Sequence, residues 1–251
     1  MSNAIFISAR TQSTRLPNKA IIKIKNKYAI EHLISRLKYS KEAKLIILCT
    51  TNLKEDDVLC EIAEKNNINY FRGSVKDKLE RWNGAAKEYS ISHFVTADGD
   101  DLFCEPTFID RAFNQFKEDN VDFIQATNII AGTFSYAIKT DALKKVCEIK
   151  DSDDTEFMWV YFTETNLFKV AELNKIPKRF YRNDIRMTLD YKEDLLFFKS
   201  VMNLIDLNKY ISLDKILKII DKNPSLKNIN IFKQNDFLKN QKQKITLKIK
   251  K

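Results

Sequence analysis

Short apolar runs alternate with helix-period segments over the first half of this chain, and that order leaves few architectures open. Residues 4–8 read as a buried strand, and 44–50 return to one. Between them Ile30, Leu33, Ile34 and Leu37 follow helical spacing. Residues 55–66 then place Val58, Leu59, Ile62 and Ala63 on one helical face. The alternation continues through a short strand at Tyr70-Phe71, a helix over 77–89, a strand over 93–97, a helix after Pro106 and a strand over 122–126. This is the order of a three-layer α/β/α nucleotide-binding domain, Rossmann-like, around a mixed, mostly parallel sheet. After about residue 150 the pattern loosens to a strand-like 168–173 and helices over 192–206 and 213–221. A length of 251 residues, 44% of them hydrophobic, suits one such domain.

In sheets of this kind ligands gather beyond the carboxyl ends of the strands. The most polar and punctuated segments fall there, at 8–19, 72–74 and 98–101. Arginine is scarce, nine against 34 lysines, yet Arg10, Arg15, Arg72, Arg81 and Arg186 lie in or beside those loops. A lysine suffices for surface charge, whereas the planar guanidinium fork is wanted where phosphate or carboxylate oxygens must be held bidentately. The loop from Ser8 through Arg10 and Arg15 to Lys19 carries three cations and several hydroxyl or backbone donors, a supply that fits a triphosphate. Pro17 fixes a turn, and Asn18 can go left-handed to aim Lys19 back across the loop. A basic surface loop is the plain alternative.

Asp98-Gly99-Asp100-Asp101 sets three carboxylates at a strand end beside a glycine that permits close backbone approach. Oxygen ligands suit magnesium, which takes one or two carboxylates while phosphates and waters complete its shell. A solvated turn is the alternative there. Asp190, just before the helix at 192, reads equally as a helix cap or as a second metal ligand. His32 and His93 both lie outside the candidate loops, which disfavours histidine or Cys/His chemistry. Nucleotidyl transfer needs no such group, because positioning and charge neutralisation can suffice.

Charge and cysteine usage exclude other classes. The net charge is +9, but six of those charges lie on lysines within residues 239–251, leaving +3 for the body. A lysine-rich end of this kind reads as solvated and frayed, and no aromatic interleaving suggests base stacking, so no nucleic-acid partner is expected. No apolar run approaches the roughly 20 residues that cross a bilayer, and the start of the chain does not read as a signal peptide. A cytoplasmic protein with no membrane insertion is therefore expected. Cys49, Cys60, Cys104 and Cys147 are widely spaced, as reduced packing residues would be.

The first loop resembles the cytidylyltransferase signature of sugar-acid nucleotide synthetases and the spore-coat polysaccharide group, through Ala9, Arg10, Ser13, Arg15, Leu16, Pro17 and Lys19. The resemblance continues at Phe71-Arg72-Gly73-Ser74, Asp77, Leu79, Arg81, Thr96-Ala97-Asp98, Thr188-Leu189-Asp190 and Glu193-Asp194-Leu195. It implies a GT-A-like nucleotidyltransferase fold and magnesium-dependent transfer of CMP from CTP to a small phosphorylated or carboxylate-bearing acceptor, with release of pyrophosphate. It assigns Arg15, Lys19 and Asp98 to catalysis. Ser8, Ala9, Arg10, Arg15, Lys19, Arg72, Gly73, Ser74, Arg81, Thr96, Ala97 and Asp98 would bind the nucleotide, with Arg72-Gly73-Ser74 lining base and ribose. Asp98 and Asp190 would hold Mg2+, and Asp100, Gly132, Glu156 and Arg186 would face the acceptor. The catalytic domain would span 1–210, with an acceptor or dimerisation arm over 125–180 that implies a homodimer, and 211–251 would form a helical extension and basic tail.

Departures from the family pattern fall on the acceptor side: Asn18 for a glycine, Gly99-Asp100-Asp101 for a cysteine-proline-leucine stretch, and residues 154–157 without the usual arginine and histidine. They resemble the branch that accepts L-glutamine phosphate, giving CDP-L-glutamine in capsular polysaccharide modification. The absence of a histidine base also suits a phosphate, which is already a nucleophile. A sugar acid or sugar phosphate is the alternative acceptor. The rival class is a metal-dependent glycosyltransferase reading Asp98-Gly99-Asp100 as its aspartate pair, against which the arginine-rich first loop argues. A third reading is a basic interaction protein acting through its tail, which deletion of 239–251 would disable.

Overall fold

The computed structural model describes residues 2–250. In chain order the main sheet takes β1 (Asn3–Ser8), then, after a small ribbon of β2 (Lys23–Ile24) and β3 (Lys27–Tyr28), β4 (Leu45–Thr51) and β5 (Asn69–Gly73). It continues with β6 (His93–Asp98), β7 (Phe123–Gln125), β8 (Tyr136–Lys139) and β9 (Val170–Glu172). The spatial order is β5-β4-β1-β6-β8-β7-β9. β5, β4, β1 and β6 run parallel, whereas β8 is antiparallel to both of its neighbours, β6 and β7. The sheet is thus mixed and mostly parallel, as the sequence implies.

β1 is apolar on both faces because it lies mid-sheet under two helical layers. Ile5 and Ile7 point to one layer, where α1 (Ala29–Leu37), α2 (Asp57–Lys65), α4 (Pro106–Glu118), α7 (Lys192–Asn203) and α8 (Leu213–Lys222) bury their apolar stripes. Ala4 and Phe6 face the other, built from α3 (Lys78–Glu88), α5 (Thr140–Ile149) and α6 (Val160–Thr163). Leu33, Ile34 and Leu37 of α1 are fully buried, so the helical spacing read from the sequence is the packing stripe.

Several expectations need correction. Residues 20–24, an apolar run that reads as extended from its sequence, instead form a 3-10 turn at Lys19–Ile21 leading into the two-residue β2, because left-handed Asn18 turns the chain inward. The strand-like 168–173 shortens to the edge strand β9. Much of 125–180 is built into the body, since β8 supplies an internal strand and α5 packs on α3. Nor is 211–251 a detached appendage: Leu213, Ile216, Leu217 and Ile220 of α8 join the main core. α9 (Ser225–Asn228) and α10 (Lys233–Lys244) follow. The basic tail is not frayed along its whole length either, because Lys248 O accepts from Asp151 N and Ile249 bridges to Lys150. No helix among the described residues is long and apolar enough to cross a membrane.

Candidate active site

The chain passes from β1 through α1 to β4 and through α2 to β5, then returns through α3 to β6 on the far side of β1. That reversal opens a crevice at the carboxyl ends of β1 and β6, where Ser8 pairs in register with Asp98. Gly99 closes against the first loop: its N–H donates to Ser8 O at 2.8 Å, and a Cβ on it would stand 2.8 Å from that of Ala9. Ser8 Oγ accepts from the indole of Trp82 on α3 at 2.8 Å.

Buried Asp56 organises the first loop. Its carboxylate accepts from both the N–H and the hydroxyl of Thr11 at 2.7 Å, while Thr51 binds its other oxygen. Asn18, at φ 57, donates its N–H to Thr11 O and completes the curl. Lys19 therefore points into the crevice, where its ammonium binds Asp100 and lies 2.8 Å from Asp190. Arg15 pairs with the same Asp190 oxygen. Burial alone would raise the Asp190 pKa, yet Lys19 and Arg15 outweigh it and hold the carboxyl at about 2. The Lys19 pKa is raised in turn, against its own burial, by Asp100 and Asp190.

The α3 side is also cationic. Arg10 reaches Val75 O at 3.2 Å and Glu156 at 3.1 Å. Glu156 is set there by its neighbour Thr155, whose hydroxyl accepts from Leu79 N and donates to Asp77, the α3 N-cap. Arg81 is 5% exposed and donates to Ser74 O, with no carboxylate within ion-pair distance among the described residues. Its burial and the nearby charge of Arg10 lower its pKa. The buried Nε atoms of Arg15 and Arg81 both lack a hydrogen-bond partner among the described residues. A buried guanidinium left so poorly compensated is costly unless an anion completes it.

The structure thus brings together Ser8, Ala9, Arg10, Arg15, Lys19, Arg81, Asp98, Asp100, Glu156 and Asp190. Others fall elsewhere. Arg186 does not face an acceptor: it is fully buried, paired with Asp190 at 2.9 Å and Asp194 at 3.0 Å, because the turn before α7 folds it inward. Arg72 spends its donors on Thr51 O, Leu53 O and Asp57, tying β5 to the start of α2. Thr96 is buried in β6 with its hydroxyl on Tyr136, and the Ala97 side chain is fully enclosed. Gly73 and Ser74 pack under Arg81, and Gly132 packs on the Met187 backbone. His32 and His93 lie outside the crevice: His32 bonds Ile24 O, and His93 packs at a tilt against Phe116.

Lys78 escaped the sequence reading. Its ammonium lies 2.8 Å from Asp98 and 5.1 Å from the centre of the Trp82 ring. A signal was present, because a lysine at the first position of a helix opposes the helix dipole and needs another reason to be there.

These features define a nucleotide-binding α/β protein with an anion-holding crevice at its topological switch point. The cytidylyltransferase family model matches residues 4–245, and the chain belongs to that family, as a CTP-dependent nucleotidyltransferase. It is 36% identical over 226 residues to an uncharacterised protein of Methanocaldococcus jannaschii, covering 89% of this chain and 92% of that one. It is 23% identical to the spore coat polysaccharide biosynthesis protein SpsF of Bacillus subtilis, over 89% of this chain and 96% of the relative. A cytidylyltransferase structure from Leptospira borgpetersenii superposes with a TM-score of 0.81 at 27% identity, covering 90% of this chain and 96% of that one.

Proposed function

We propose that this cytidylyltransferase uses magnesium to transfer CMP from CTP to a small phosphorylated acceptor, with L-glutamine phosphate in capsular polysaccharide modification as the first candidate. The observation that carries the reading is the pair of unpartnered Nε donors, one on half-buried Arg15 and one on buried Arg81, on the two sides of one crevice. Arg15 and Lys19 take the triphosphate and neutralise the departing pyrophosphate, while Arg10 and Arg81 receive anionic oxygens on the α3 side. No histidine is positioned as a base, and an acceptor phosphate oxygen can attack the α-phosphorus without losing a proton.

The donor set suits magnesium. Asp98 is partly exposed at the crevice mouth, and its surroundings are oxygen-rich through Asp100 and Asp101. No cluster of three or more acidic, histidine or cysteine groups among the described residues forms a ready-made cage. That fits an ion whose shell is completed by phosphates and waters. Asp98 is its first ligand in this reading, and Asp190 becomes available when Arg15 and Lys19 pass to the triphosphate. Bound magnesium would neutralise phosphate charge. The paired-aspartate reading of a glycosyltransferase gives way to the cytidylyltransferase family match over residues 4–245.

Pyrophosphate release with magnesium, each of the four nucleoside triphosphates, and L-glutamine phosphate, sugar phosphates and sugar acids as separate acceptors tests the proposal. CTP-dependent release with the phosphate acceptor is expected. Release only with a sugar acid would overturn the acceptor. Asp98→Asn should lose activity at limiting magnesium with an unchanged melting temperature, and Lys19→Ala should lower turnover by about a hundredfold, the scale of removing one transition-state donor.

A further inference from the structure

α10 buries none of its residues fully, and Leu238 on it and Phe232 just before it are largely exposed. As a core element it contributes little, yet it is fastened to the body by specific polar contacts. Gln234 accepts from Arg186 Nη1 at 2.8 Å. Fully buried Asn230, just before it, donates to Asp194 at 2.8 Å and to Arg186 O at 3.1 Å. Lys233 pairs with Glu193 at 3.3 Å. These attachments converge on the network that carries Asp190, and so on the residue that holds Arg15 and Lys19.

One further contact reaches Arg15 itself. The Phe237 ring stands 5.7 Å from the Arg15 guanidinium carbon and 4.8 Å from that of Arg186. Tyr191 stands 5.9 Å and 5.8 Å from the same two groups. An aromatic face attracts a guanidinium without consuming its N–H donors, whereas a second carboxylate would satisfy and neutralise them.

We propose that α10 is part of the nucleotide site, with Phe237 as a positioning residue that holds the Arg15 guanidinium at the crevice and keeps its donors available to the triphosphate. The inference rests on the assignment of Arg15 to CTP. It places the functional end of the C-terminal region at residues 230–237 rather than in the lysines beyond.

The test uses the full chain and three substitutions, Phe237→Tyr, Phe237→Leu and Phe237→Ala. Leucine keeps apolar bulk but removes the ring, and tyrosine keeps the ring. Pyrophosphate release gives KM for CTP and kcat, and the rise in melting temperature on adding CTP gives binding without turnover. For Phe237→Leu and Phe237→Ala, KM for CTP should rise about tenfold and the CTP-induced thermal shift should shrink, with any fall in kcat well below the hundredfold expected for Lys19→Ala. Phe237→Tyr should match the parent. A leucine variant equal to the parent in both readouts, or a common loss of stability and kcat with KM unchanged, would overturn the proposal. An unsubstituted chain that shows neither CTP-dependent release nor a thermal shift with CTP would instead overturn the functional reading on which it rests.

Discussion

Gly132 sits at φ +84, and a Cβ there would lie 2.0 Å from the carbonyl oxygen of Met187, a backbone atom that cannot swing aside. Gly132→Ala should therefore lower unfolding stability by about 2 kcal/mol or more, read from the urea midpoint, by combining left-handed strain with a clash. The family resemblance placed Gly132 on the acceptor side, and the bridge of Ala131 to Arg186 with the contact on Met187 reveals its packing role. Arg186 carries the same lesson. An arginine two residues before Thr188-Leu189-Asp190 is visible in the sequence, but whether its guanidinium faces the crevice or the core depends on Asp194, Asn230 and Gln234. The gathering of Arg10, Arg15, Lys19 and Asp98 at one crevice was legible because their segments follow the carboxyl ends of β1 and β6, which pair side by side. Lys78 and Phe237 were not, since each acts across the crevice from another part of the chain.

Among the elements, the first loop depends on a residue outside it. Burial would raise the Asp56 pKa, but bonds from Thr51 and Thr11 bring it below the ordinary value near 3.8. A depressed carboxyl stabilises the fold fully above its unfolded pKa and loses that contribution as pH falls through the lower folded value. Asp56→Asn should thus cost about 1–2 kcal/mol at neutral pH. The parent and variant unfolding curves should converge below about pH 4, which denaturant titrations across pH would show. The long, strongly periodic elements were legible from β1 through α4. β8 and α5 were missed because β8 has only four residues and inserts antiparallel between β6 and β7, an order that chain succession does not predict.

At the scale of the molecule, the body and helix α8 of the C-terminal region share one hydrophobic core. Leu213, Ile216, Leu217 and Ile220 close the main core, and each such side chain contributes about 1.5–3 kcal/mol on burial against a whole-domain stability of about 5–15 kcal/mol. A chain ending at residue 210 should lose its single cooperative thermal transition, a result that calorimetry of the soluble fraction would establish. The sequence showed the helix at 213–221 but not its partner surface, because an apolar stripe does not name what it covers. The crevice has its own molecular consequence. Arg10 faces Glu156, Lys78 faces Asp98, and Arg15 and Lys19 share Asp190, so most of its cations already have counter-ions. A lone sulfate or phosphate can gain these cations only by stranding carboxylates, whereas a nucleotide escorted by a divalent cation leaves both sets partnered. On the proposed function, this pairing makes substrate binding an exchange of ions that favours the metal nucleotide over a simple anion.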